Sequence, residues 1–291
     1  MVKTVKYWQE LCKSKRPNNK SYERLVENYL DLLVPAKLQF FSFLASILSP
    51  YLIMYQTDAP MEPFMFDELS SIIYRLLRLV YKQGKISEKK FLSDLMKEIF
   101  LQNEDNKLDE LQIDIGAAAK NSLVQLQVSA EKKRKFRIDC QKVIEIILLK
   151  LLERLPTNKS IVIRASSISP HNMQQSPIRS TKRFKALADD LFAAKKIKAK
   201  VANNAKCQYR RFISTDVIKH ADKFLEFDFR KDRLDQYLFP YLAGKGTDYS
   251  DLWTICILIF TINHGQAFTE RGFSVNKQVT DTNMEEDSLM Y

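Results

Sequence analysis

The segment from Ala130 to Leu155 carries the longest helix-forming pattern in the chain and constrains its fold most. Its second part is apolar nearly all round, with Val143, Ile144, Ile146, Ile147, Leu148, Leu149, Leu151 and Leu152. A helix with apolar residues on every side belongs inside a helical bundle, and Pro156 ends it. The chain has only 6 Gly and 9 Pro, which argues against a loop-rich β protein. The pattern predicts a mainly α fold.

A polar segment, 166–180, is the best internal boundary. It contains two Pro, two consecutive Gln and five Ser, a composition typical of loops. We therefore predict a helical region over 1–165, a linker over 166–180, and basic helices followed by a C-terminal region over 181–291. Within the first region, 159–163 could be a short strand.

Positive charge is concentrated in residues 179–211. This stretch holds eleven Lys or Arg against two Asp, a net charge of +9, while the whole chain has +11. Such a block suits a polyanion such as DNA or RNA. A solvated helix face that aids solubility is an equally good interpretation. The candidate nucleic-acid-binding residues are Lys182, Arg183, Lys185, Lys195, Lys196, Lys198, Lys200, Arg210 and Arg211.

Two aromatic residues, Phe184 and Tyr209, interleave with these charges. Aromatic rings beside cations can stack on exposed bases. The same rings could form the apolar face of amphipathic helices, and the pattern Phe184, Leu187, Leu191 favours that interpretation for Phe184.

Membrane, metal and secreted classes are disfavoured. Residues 38–55 carry no formal charge, near the lower length limit for a spanning helix, but Pro50 is expected to break or kink a helix there. A buried core helix followed by a short one is preferred. The four Cys form no Cys-x-x-Cys pair, which indicates reduced intracellular thiols and no zinc finger. No Gly-rich phosphate loop or nucleophilic triad points to a small-molecule substrate.

The segment 266–274 reads Gln-Ala-Phe-Thr-Glu-Arg-Gly-Phe-Ser. It resembles the C-terminal signature of hAT-superfamily transposases, Ala-x-x-Glu-Arg-x-Phe-Ser. Segments 46–64, 206–212 and 232–237 are similar to parts of the same proteins, so that the resemblance extends from about residue 21 to the end.

The resemblance implies a site and a fold. Glu270 matches the third acidic position of the family's metal-binding set, and Phe268, Arg271 and Phe273 fall in its dimerisation region. The family's fold is ribonuclease-H-like. The chain corresponds to its helical insertion region and C-terminal helices, with most of the core sheet missing. Two catalytic Asp and a zinc-binding DNA-recognition module are expected to be missing as well.

The expected function is that of a transposase-derived nuclear protein that binds DNA, associates with itself or a related protein, or does both, without catalysis. Mg²⁺ or Mn²⁺ is expected only for a complete family member, because one carboxylate cannot hold a metal pair. One alternative is a helical interaction module that oligomerises with or inhibits a full-length relative. Another is a cryptic enzyme completed in trans, with Asp139, Glu226 or Asp228 as weakly supported companions of Glu270.

Overall fold

Helices form nearly all the regular structure of this protein. The computed structural model describes residues 31–87, 92–95, 97–154, 160–244 and 248–262, together with Lys20 and Arg24. No strand forms within these residues, where the only β-type pairing is an isolated antiparallel bridge between Tyr81 and Lys107. The prediction of a mainly α fold is confirmed.

The chain folds into two compact units, each made of two stretches of sequence. Unit 1 consists of residues 1–49 and 72–154, and unit 2 of residues 50–71 and 155–291. Each of the first two long helices contains residues of both units. They are α1 (Val34–Met54) and α2 (Glu62–Val80).

Unit 1 continues with shorter helices and then one long helix. They are α3 (Gln83–Ser87), α4 (Leu92–Leu95), α5 (Glu98–Gln102), a 3-10 turn (Glu104–Asn106), α6 (Ala117–Gln125) and α7 (Ala130–Arg154). The amphipathic pattern of residues 87–100 predicts one continuous helix, which is wrong, because the backbone is extended at Lys97 and a separate helix begins at Glu98. The hydroxyl of Tyr81 donates to the carbonyl of Leu101 at 2.8 Å and ties α5 to the end of α2.

The long helix α7 occupies the predicted range almost to the residue. Its buried positions Phe136, Cys140, Ile144 and Leu148 follow one stripe of the helix. Ile146, however, is 56% exposed, so α7 is not buried on every side as its composition predicts. Burial raises the pKa of the Cys140 thiol to about 12.

Most of unit 2 comes from the second half of the chain. Its core also includes residues from the stretch 50–71. Its elements are α8 (Ser160–Ala165), a 3-10 turn (Ser166–Ile168), α9 (Pro170–Gln175), α10 (Pro177–Ala193), α11 (Ala199–Phe212), a π-helical turn (Ile213–Val217), α12 (Ala221–Glu226), α13 (Leu234–Leu242) and α14 (Ser250–Phe260). The helix α14 is anchored on α11, because the backbone N–H of Leu252 donates to Gln208 Oε1 at 2.7 Å.

The predicted linker 166–180 and the predicted strand near 159–163 are both wrong, since the described residues of these segments are almost all helical. Pro170 and Pro177 stand at the first positions of α9 and α10, where a helix needs no N–H from them. The hydroxyls of Ser166 and Ser167 donate to backbone carbonyls three residues earlier, at 2.6 and 2.7 Å. These bonds allow polar residues to be buried in unit 2.

The apolar helix α1 runs without a break past Pro50, contrary to the prediction. Pro50 is exposed, so its ring displaces no core side chain. In the part of the chain that the structure describes, α1 is the one helix long and apolar enough to cross a membrane. Only 17% of its most apolar window is buried. It is therefore not the largely buried core helix that the sequence favours.

Candidate nucleic-acid interface

The residues of the basic block form a helical hairpin, α10 and α11, joined by residues 194–198. Its inner face is apolar. Phe184 and Tyr209 are buried there, and their rings stack with centroids 4.0 Å apart and planes 2° apart. Since the apolar residues of both helices face inward, the lysines of the block other than Lys206 are turned outward.

The turn between the two helices depends on Lys195, which has a φ of 56°. The backbone N–H of Lys195 donates to the carbonyl of Phe192, and that of Lys196 to the carbonyl of Leu191. This pair of bonds ends a helix at a left-handed residue, a position usually occupied by glycine. The turn and the start of α11 expose four lysines: Lys195, Lys196, Lys198 and Lys200.

The outer faces of the two helices extend this positive surface. Lys182 and Lys185 are exposed on α10. Lys206 of α11 forms an ion pair with Asp189 of α10, and the exposed Arg210 lies one turn further along α11. Helical spacing places Lys182, Lys185 and Asp189 on one side of α10. Both acidic residues of the block are therefore paired, Asp189 with Lys206 and Asp190 with Arg164.

The predicted contact residue Arg183 has a different environment. Its Nη1 donates to Ser166 Oγ at 2.7 Å, and its guanidinium lies 5.0 Å from the centroid of the Phe66 ring. Burial lowers the pKa of this guanidinium, although Asp67 opposes the effect. Arg183 thus holds α10 against α2 and the 3-10 turn within unit 2.

Arg211 is exposed but also has partners within the protein. Its guanidinium lies 4.8 Å from the centroid of the Tyr249 ring and donates to the carbonyl of Asp248 at 3.2 Å. The Tyr249 hydroxyl donates to the carboxylate of Asp216 at 2.6 Å. These contacts brace the π-helical turn that follows α11, so Arg211 is less free to reach a ligand than the lysines of the turn.

The proposal that Tyr209 or Phe184 stacks on bases is wrong, because both rings are buried against each other. The exposed aromatic residue of the hairpin is Phe192, near the end of α10. The exposure of Phe192 could have been predicted from the helical pattern. Phe192 follows Leu191 directly, and so lies off the stripe formed by Phe184, Leu187 and Leu191.

The predicted acidic position Glu270 and the dimerisation positions Phe268, Arg271 and Phe273 lie outside the described residues. Among the residues that are described, no three His, Cys, Asp or Glu side chains are placed to hold a metal ion. Of the proposed companions, Asp139 and Glu226 are exposed, while Asp228 lies 3.4 Å from Lys231 Nζ.

No family model, curated protein or solved structure matches this chain. The resemblance to hAT transposases therefore rests on the C-terminal motif and the three shorter segments.

The hairpin is suited to contact with a polyanion. Six of its exposed lysines, Lys182, Lys185, Lys195, Lys196, Lys198 and Lys200, form no ion pair with another described residue. When such lysines neutralise phosphate groups, cations condensed on the nucleic acid are released into solution, which favours binding. Lysine contacts of this kind carry no base preference.

Proposed function

We propose that this chain is a hAT transposase-derived nuclear protein that binds the backbone of nucleic acid through the α10–α11 hairpin, without catalysis. The observation that carries the proposal is the exposure of the lysines at and beside the turn. Binding of this kind is driven by charge, falls steeply with salt and depends little on sequence.

The burial of Phe184 and Tyr209 refines the proposal. Proteins that bind single strands combine cations with exposed aromatic rings, whereas the hairpin presents mainly cations. We therefore expect its contacts to be made with phosphates, and the discrimination between base sequences to be weak.

We predict that the triple variant Lys195→Glu, Lys196→Glu, Lys198→Glu weakens binding to duplex DNA of any sequence by at least about tenfold. Each lost lysine–phosphate contact should also lower the slope of log affinity against log salt by about 1. Fluorescence anisotropy with two unrelated duplexes, between low and physiological salt, measures both quantities.

The matched control is the triple variant Lys142→Glu, Lys219→Glu, Lys223→Glu. These three lysines are also exposed but lie outside the hairpin, and the change in net charge is the same. The control should retain most of the affinity and nearly the full salt slope. If both triple variants lose affinity equally, net charge alone governs binding. If neither does, the hairpin is only a solvated surface.

A second candidate function is that of a helical module for self-association or for contact with a related protein. The observation that favours it is the exposed apolar surface of α1, where Leu38 and Phe41 are 62% and 56% exposed. Sedimentation equilibrium of the wild type and of the variant Leu38→Ser, Phe41→Ser tests it. A dimer that dissociates in the variant, together with no salt-dependent binding to DNA, would favour this function.

A further inference from the structure

A second positively charged feature lies in unit 1, in a groove with a volume of about 530 Å³. One wall is the start of α7, another is α6, and the third is the loop that carries Glu110 and Leu111. The side chains of Leu111 and Val124 are 77% and 79% exposed at this groove. Unpartnered apolar side chains beside a concave surface are typical of a binding site.

The first turns of α7 carry an unfavourable arrangement of charge. Between Ala130 and Arg137 the helix has five Lys or Arg against the single acid Glu131. The N-terminus of a helix carries a partial positive charge, so cations there are destabilising and anions are stabilising. Helix stability therefore does not explain these cations, and an anionic ligand at this end of α7 would offset their repulsion.

The cations that line the groove occupy one stripe of α7. They are Lys133, Arg134 and Arg137, and with Ala130 they follow the spacing i, i+3, i+4, i+7. Arg134 pairs with Glu110 across the groove at 2.6 Å. Arg137 differs from Arg134, because its Nη1 atom is buried and has no hydrogen-bond partner among the described residues. A buried guanidinium nitrogen without a partner is costly. A change of rotamer that carries it into the groove, which Arg137 lines, would let an incoming carboxylate bind it.

We propose that this groove binds an acidic peptide segment that also carries apolar side chains. A carboxylate of the peptide pairs with Arg137 and Lys133, and its apolar side chains cover Val124 and Leu111. A peptide is favoured over nucleic acid because the exposed side chains of Leu111 and Val124 are apolar. The apolar side chains of a peptide would cover them, whereas a polyphosphate backbone would not.

The sequence of this chain itself provides a probe of that chemistry. Residues 281–291 contain Asp281, Glu285, Glu286 and Asp287 together with Met284, Leu289 and Met290. A fluorescently labelled synthetic peptide of this sequence should show saturable binding by anisotropy. It is titrated with the full chain in which the same four acids are replaced by Asn or Gln, so that the tethered segment does not compete. The same peptide with its four acids replaced by Asn or Gln should bind at least about tenfold more weakly, since charge-assisted bonds are lost.

Two variants of the protein test the apolar part and the charged part of the groove. Val124→Asp places a carboxylate at an exposed groove position, and Arg137→Gln removes the unpartnered guanidinium. Each should weaken peptide binding by about tenfold or more. Their controls are Ile146→Asp and Lys142→Gln, exposed residues of α7 that do not line the groove, and these should bind the peptide as the wild type does.

Thermal unfolding of each variant establishes that it is folded. Because Val124 is largely exposed, Val124→Asp keeps the test valid even if Arg137→Gln fails to fold. Absence of saturable peptide binding, or equal binding by Val124→Asp and the wild type, would overturn the proposal. So would loss of duplex-DNA affinity in Arg137→Gln with peptide binding unchanged, which would identify a nucleic-acid site instead.

Discussion

Tyr209 joins the two helices of the hairpin from the inside. Its ring stacks on Phe184, and its hydroxyl donates to the backbone carbonyl of Ser167 at 2.6 Å. Burial raises the pKa of this hydroxyl well above its usual value, so the group stays protonated and remains a donor at neutral pH. A residue that the sequence associates with base stacking therefore has a structural role.

We predict that Tyr209→Phe lowers the free energy of unfolding by about 1–2 kcal/mol, because the buried carbonyl of Ser167 loses its donor. Urea denaturation measures this change. Tyr74→Phe is the control, since the structure gives the half-buried Tyr74 hydroxyl no hydrogen bond to a described residue. Affinity for DNA should stay the same in Tyr209→Phe, because the ring is buried. A clear loss of affinity without a loss of stability would contradict this role.

At the scale of elements, the connection between α10 and α11 combines backbone strain with charge. A non-glycine residue in the left-handed region is disfavoured by about 1 kcal/mol, yet the position is occupied by Lys195. Its positive charge lies beyond the C-terminus of α10, where the helix dipole favours cations. Lysine therefore occupies a position where glycine would be less strained.

We predict that Lys195→Gly raises the free energy of unfolding by up to about 1 kcal/mol, because glycine adopts a positive φ without strain. Lys196→Gly is a matched control. It removes the same charge next to the turn, but the glycine there gains nothing from a positive φ and should lower stability slightly. Thermal or urea unfolding distinguishes the two variants. Greater stability in both would indicate relief of charge repulsion rather than of backbone strain.

How well the sequence predicts an element depends on what ends it. The bounds of α7 were predictable because an uninterrupted helical pattern stops just before Pro156. The helices within residues 166–180 were not predictable, because Ser and Pro in a sequence indicate a loop. Here Pro170 and Pro177 begin helices, and the serine hydroxyls bond to nearby backbone carbonyls. Those partners exist only in the folded chain, so a single sequence does not reveal them.

The sequence also predicts some residues of the candidate nucleic-acid interface better than others. Charge density alone located the hairpin lysines, because lysines stay at the surface whatever the packing. The internal contacts of Arg183 and Arg211 depend on residues far away in sequence, Phe66 and Tyr249. The cations that line the groove belong to a shorter run of charged residues in α7. Their position beside α6 arises only when unit 1 folds, so the sequence does not reveal it.

At the scale of the whole molecule, unit 2 depends on two distant stretches of chain. Its core combines Met61 and Phe64 with Ile168 and Met173, as well as with the later helices. We predict that a fragment of residues 181–291 alone is largely unfolded by far-UV circular dichroism, because it lacks these core residues. The full chain, measured under the same conditions, is the control. Cooperative thermal unfolding of a helical fragment would instead support the domain division predicted from sequence.

The last prediction concerns catalysis by the chain as a whole. We expect the pure protein neither to cleave nor to join DNA in Mg²⁺ or Mn²⁺. Metal-dependent phosphoryl transfer needs two ions held by several carboxylates. Glu270 is the one acid that the resemblance assigns to such a set, and Asp139, Glu226 and Asp228 have no spacing that supports a role beside it.

Glu270→Gln should therefore change no activity, and the wild type and the variant should be indistinguishable in nicking and strand-transfer assays with supercoiled and linear DNA. A matched variant, Glu226→Gln, tests the alternative that other acids of this chain complete a metal site with Glu270. Metal-dependent nicking by the wild type that disappears in either variant would contradict the prediction. It would show that the chain carries a functional carboxylate set, and the hairpin would then be a DNA-holding surface of an active enzyme.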